Sequence, residues 1–136
     1  MVKMWAYGTT KSHLEKTISI PLDQRKPSDG IIRMEVDIPE IGPDEVLLRV
    51  KSSALNYNSI WSSLAHPIDP FALNVGFVKN NPACADHLQD YSIFGSDACG
   101  EIVSMGSEVR NFQVGDEVMD SSVKARLAQM QVSLGA

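Results

Sequence analysis

The chain has 136 residues, of which 43% are apolar and 21% charged, an ordinary composition for one small globular domain. Seventeen acidic residues against twelve basic ones give a formal net charge of −5, which excludes the clustered lysine and arginine that neutralise nucleic-acid phosphates. No apolar run approaches the ~20 residues that span a bilayer, the N-terminus lacks a secretion-type apolar stretch, and two cysteines, Cys84 and Cys99, make no disulfide framework, so a cytoplasmic location with free thiols is expected.

No internal repeat is present, which removes solenoid architectures. A first strand is predicted over residues 3–7, an aromatic run closed by Gly8. Residues 11–28 are polar, carry Pro21 and Pro27, and read as an extended excursion rather than a packed element. Residues 31–38 alternate Ile32, Met34, Val36 and Ile38 with Arg33, Glu35 and Asp37, a period of two that gives one buried and one wet face. Pro39, Gly42 and Pro43 punctuate, and residues 45–52 resume as a strand with Val46, Leu48 and Val50 on one face. Two such runs around a Pro/Gly turn predict a hairpin-like unit.

A short helix is predicted over residues 58–64, capped by Asn58 or Ser59, ended by Pro67 and Pro70, and packing Trp61 with Leu64 as core. Residues 71–90 show no clean period and read as loop. Brief strands follow over residues 91–94, 101–105 and from Glu117, with turns at Gly95–Gly100, Gly106 and Gly115-Asp116. Short strands with closely spaced turns argue for a small β-barrel or sandwich. Residues 121–134 are helix-like, because Val123, Leu127, Met130 and Leu134 share one face. Ser121 or Ser122 would cap the start and Gly135 the end. Such a helix is marginal alone and must dock on its own barrel or on a partner.

The candidate chemistry is sparse. Gly95 and Gly100 have P-loop-like spacing, but Glu101 stands where the lysine is needed, so that site fails. Cys84, His87 and Cys99 do not reach the ligand number of a zinc site and read as structural. His13 and His66 lie in polar segments and read as solvated. Asp97, in a glycine-bounded turn, suits a hydrogen bond to local backbone, or a carboxylate that orients backbone amides or a substrate-side water.

Three segments in order resemble the medium-chain dehydrogenase/reductase superfamily. Gly42-Pro43-Asp44-Glu45-Val46-Leu47-Leu48-Arg49-Val50 is similar to its entry hairpin. Gly95-Ser96-Asp97-Ala98-Cys99-Gly100-Glu101-Ile102-Val103 is similar to its glycine–acid–glycine element. Val109-Arg110-Asn111-Phe112-Gln113-Val114-Gly115-Asp116-Glu117-Val118 is similar to its Gly-Asp turn and strand. Residues 52–64, with Asn56-Tyr57-Asn58 followed by Ile60-Trp61, resemble the signature of crotonyl-CoA (enoyl-CoA) carboxylase/reductases, and the long insertion from His66 to Tyr91 is also similar to that family.

The resemblance implies a mainly β, GroES-like partial β-barrel over residues 1–119 with short helices; the C-terminal amphipathic helical tail over residues 120–136, read from its spacing, matches nothing in that family. The resemblance implies an enzyme that reduces an α,β-unsaturated acyl-CoA with NADPH and traps the enolate with carbon dioxide. Asn58 is implied to hydrogen-bond carbon dioxide; the same side chain fits a helix cap. Asn56, Tyr57 and Asp97 are implied on the substrate side. Zinc-dependent members carry Cys at the position of Asn56 and His at that of Ser96, so zinc is not expected here. None of the nine glycines forms Gly-x-Gly-x-x-Gly, so the dinucleotide-binding domain is expected to be absent and the chain to be truncated and inactive alone. Open sheet edges would favour a homo-oligomer. The alternative is a non-enzymatic binding or assembly module whose contact is the C-terminal helix face.

Overall fold

The alternating segments form strands. The computed structural model describes residues 2–80, 82, 85, 88–120 and 131–132. Its elements are β1 (Lys3–Thr10), α1 (Lys11–Ile18), a 3-10 turn (Leu22–Gln24), α2 (Pro27–Gly30), β2 (Ile32–Asp37), β3 (Val46–Ser52), α3 (Tyr57–Leu64), α4 (Pro70–Asn80), β4 (Tyr91–Ile93), β5 (Ala98–Met105), β6 (Glu117–Asp120) and β7 (Gln131–Val132). The strands lie in two sheets, ordered β2-β1-β4 and β6-β5-β3-β7. The expected mainly β fold with short helices holds, with two antiparallel sheets rather than a closed barrel. The helix expected over residues 121–134 lies outside the described residues, except for Gln131–Val132, which pair as β7 with Val46 and Leu47.

By contacts the chain divides into two units: Met1–Ala6, Glu35–Asn56 and Gly95–Ala136 in one, Tyr7–Met34 and Tyr57–Phe94 in the other. In the first, the β3–β5 ladder carries the core. Val46, Leu48 and Ile102 are fully buried, with Met105, Val109, Phe112 and Val118 packed against them. This corrects the predicted hairpin, because β2 and β3 lie in different sheets. The apolar face of β3 finds its complement on β5, and the intervening Pro39, Gly42 and Pro43 are spaced too widely to close a tight turn. Gly100 permits the close ladder: a Cβ there would stand 2.3 Å from the Arg49 carbonyl oxygen.

In the second unit, residues 11–28 are packed rather than extended. Thr10 caps α1 by accepting from the His13 amide at 3.2 Å, and α1 buries Leu14 and Thr17. Thr17 Oγ1 donates to the Asp29 carbonyl at 2.9 Å, which also lies 2.9 Å from His13 Nε2. His13 is therefore half-buried and bonded, not solvated. The Arg25 guanidinium donates to the carbonyls of Ile18, Ile20 and Leu64 at 2.8–2.9 Å, satisfying backbone acceptors left open at helix ends. The segment is polar because its side chains bond backbone. It therefore shows no apolar stripe to read.

The loop expected over residues 71–90 is corrected over its first part, where α4 forms. Asp69 Oδ1 accepts from the amides of Phe71 and Ala72 at 2.9 and 3.1 Å, and Pro70 occupies the first helical position. An acidic cap followed by proline is a helix-start signal; α4 lacks a polar face, so periodicity does not reveal it.

Leu48→Ala is expected to destabilise the protein by about 2–5 kcal/mol, whereas Arg49→Ala, on the exposed side of the same strand, stays within about 0.5 kcal/mol. Urea unfolding followed by circular dichroism checks both; equal losses would contradict the assigned β3 register.

Candidate functional site

The β3–β5 register decides which side chains meet. Ser52 pairs with Cys99 after a register shift beyond Val50, an irregularity of the kind that re-aims side chains at strand ends. Residues 53–56 leave β3 at the same end of the ladder at which residues 95–97 enter β5. Asn56 Nδ2 donates to Ser96 Oγ at 2.6 Å and lies 3.3 Å from Asp97 Oδ2. Ser53 Oγ donates to the Asp97 carbonyl at 2.7 Å. Gly95, at φ 119°, makes the turn in a region that favours glycine. Asn56, Ser96 and Asp97 are half-buried. A carboxylate only accepts, which assigns the donating amide nitrogen to the Asp97 side.

Asp97 is thus bonded across to the β3 side through both carboxylate and carbonyl. Asn56 and Ser96, at the positions where zinc-dependent members of the resembled superfamily carry Cys and His, form a carboxamide–hydroxyl pair that offers no thiolate or imidazole to a metal. Among the described residues no group of three or more His, Cys, Asp or Glu is placed to hold a metal ion. Cys84 and His87 lie outside the described residues.

Tyr57 and Asn58 belong to the other unit, on α3. The helix begins at Tyr57, so Asn58 sits inside its first turn instead of preceding it as a cap. Asn58 is exposed. The Tyr57 and Trp61 rings are 5.9 Å apart. Trp61 is 38% exposed and is not core; α3 buries Ser59, Ser62 and Ser63 instead.

Ser53 lies within the 52–64 signature, but sequence reasoning gave it no role. The same reasoning missed the charged group beside it. A cavity of about 360 Å³ is lined by Met4, Trp5 and residues 49–53, and adjoins the Asn56 cluster through Ser53. Lys51 Nζ bonds the Glu117 carboxylate and lies 3.9 Å from Glu101. The hydrogen bond from Lys51 holds the Glu117 carboxyl below the usual carboxylate range. The same bond, with the Glu117 charge, raises the Lys51 ammonium above its ordinary value. No helix among the described residues is long and apolar enough to cross a membrane.

The sequence profile of the alcohol dehydrogenase GroES-like domain matches residues 42–133, extending past the boundary expected at residue 119. Crotonyl-CoA reductase of Streptomyces collinus is 34% identical over 117 residues, covering 86% of this chain and 26% of that protein. Crotonyl-CoA carboxylase/reductase of Cereibacter sphaeroides is 38% identical over 92 residues, covering 67% of this chain and 18% of that protein. The structure of the 2-octenoyl-CoA carboxylase reductase CinF, from a Streptomyces species, in complex with NADP and 2-octenoyl-CoA matches with a TM-score of 0.77 at 29% identity, over 86% of this chain and 26% of that one. The chain thus spans well under half of the length of these relatives.

The Lys51–Glu117 pair has a defined pH window. With its folded pKa lowered, Glu117 contributes stability above the unfolded carboxylate value that is lost as pH falls through the lowered one. With its folded pKa raised, Lys51 contributes below the unfolded ammonium value and loses this as pH rises through the raised one. Both side chains are exposed, so the contribution is small and screened. Glu117→Gln is expected to lower the melting temperature slightly at neutral pH and low salt, with the difference vanishing in acid and at high salt. A difference that persists in high salt would contradict this assignment.

Proposed function

The chain belongs to the alcohol dehydrogenase GroES-like domain family, and on that premise we propose that it forms the substrate-side domain of an NADPH-dependent enoyl-CoA reductase of the crotonyl-CoA carboxylase/reductase type. The observation that carries this reading is the hydrogen-bonded Asn56–Ser96–Asp97 cluster, which joins the segment that resembles that family to one that resembles the wider superfamily. A carboxamide and a hydroxyl stand where a metal site would need soft ligands, which supports a zinc-independent way of polarising the substrate.

In this reading the Asn56 cluster forms the thioester side of the site. Asp97 and Ser96 hold the Asn56 amide in one orientation, so its hydrogen-bonding groups are set before substrate arrives. Asn58 donates from its amide to an oxygen of carbon dioxide. It carries no charge, so it does not repel the carboxylate that develops. Tyr57 lies beside Asn58 on α3 and adds an exposed aromatic surface on the substrate side.

NADPH would supply the hydride. The described strand pairings are antiparallel, and the described residues include no glycine-rich turn leading from a parallel strand into a helix, the arrangement that cradles a dinucleotide. The described residues therefore do not fit the cofactor, and no step is assigned through it.

The chain alone is expected to bind crotonyl-CoA saturably in equilibrium dialysis without oxidising NADPH. Asn56→Leu, which removes the amide but keeps the branched shape, is expected to weaken that binding roughly tenfold by leaving the Ser96 and Asp97 acceptors without their donor. NADPH oxidation by the chain alone would contradict the reading that it holds no cofactor site. Absent binding, or binding indifferent to Asn56→Leu, would contradict the substrate assignment.

A further inference from the structure

The polarity of α3 is reversed. Ser59, Ser62 and Ser63 are buried at 6%, 8% and 0% exposure, while Tyr57, Ile60 and Trp61 stand 73%, 40% and 38% exposed. The cause is a close approach between α2 and α3. A Cβ on Gly30 would lie 1.6 Å from the Ser63 carbonyl oxygen, so the helices meet backbone to backbone and only small side chains fit between them. At 3.6 residues per turn, the large apolar residues are forced onto the opposite side. The tilted Tyr57 and Trp61 rings lie 5.9 Å apart on that side, and Asn58 sits three residues before Trp61, a spacing that makes their side chains neighbours.

The size and charge of this face select its occupant. Tyr57, Ile60 and Trp61 together offer roughly 300 Å² of surface, given aromatic side-chain areas of about 150–250 Å². A stable protein contact takes about 800 Å² from each partner. The helix, Tyr-Asn-Ser-Ile-Trp-Ser-Ser-Leu, carries no charged residue that could steer or register a protein partner. One extended aliphatic chain fits both the area and the neutrality.

We infer that the exposed face of α3 is the wall against which the acyl chain of an acyl-CoA thioester lies, and that Trp61 discriminates between acyl chains of different length. This rests on the acyl-CoA reading above and adds which residues meet the chain and what they select. Tyr57 buttresses the Trp61 ring, and Ile60 extends the wall by one further side chain.

The test follows the two tryptophan indole N–H resonances of the full chain by NMR, with Trp5→Phe to assign them, during titration with free CoA, crotonyl-CoA and 2-octenoyl-CoA. The longer ligand is expected to bind about tenfold more tightly than crotonyl-CoA, because each further shielded methylene favours binding. It should shift the Trp61 resonance and leave Trp5 in place, and free CoA should shift neither. Trp61→Ala is expected to reduce the affinity ratio to within about twofold. Trp61→Phe keeps an aromatic wall, guards against a folding defect and should retain most of the ratio. A ratio unchanged in Trp61→Ala, or a shift of Trp5 in place of Trp61, overturns the inference and leaves the acyl-CoA reading standing. Failure of both acyl-CoA ligands to bind overturns that reading itself.

Discussion

The antiparallel ladder between β3 and β5 is the constraint on which the first unit depends. Its inward face supplies Val46, Leu48 and Ile102, the fully buried core. Its register, ending at Ser52 opposite Cys99, sends two loops out side by side. A shift of one residue would turn the apolar set to solvent. It would also carry Asn56 away from Ser96 and Asp97. Fold and candidate site are thus two consequences of one pairing, and Gly100 is the residue that lets the strands approach closely enough to form it.

The second unit is held by a different device. Its helices are short, and backbone acceptors at or near the ends of α1 and α3 are satisfied by the Arg25 guanidinium. Close backbone contact at Gly30 and Ser63 then decides what α3 can bury. Small hydroxyl side chains go inward and large apolar ones outward. The exposed aromatic surface of α3 follows from that packing and becomes available to a ligand.

These two devices explain what the sequence reveals and what it conceals. The strands β2 and β3 are legible because alternation of apolar and charged residues survives where one face is wet, as Ile32 to Asp37 shows. The meeting of Asn56 with Asp97 is foreshadowed by resemblance, yet the Ser53 contribution is not, because a serine within the signature does not itself reveal which backbone carbonyl it will bond. Helix α1 is invisible to periodicity, since Thr17 and His13 bond backbone rather than form an apolar stripe. Trp61 misleads for a related reason. Spacing predicts that it packs with Leu64, but the space beside Gly30 admits only serines.

Hydrogen–deuterium exchange of the chain with and without crotonyl-CoA reads backbone protection in both site segments at once, and so tests whether they bind the acyl-CoA. Slowed exchange is expected in peptides spanning residues 53–61 and 95–99, with residues 107–116 unchanged. Protection confined to other segments, or none at saturating ligand, would contradict the assignment of this domain to acyl-CoA.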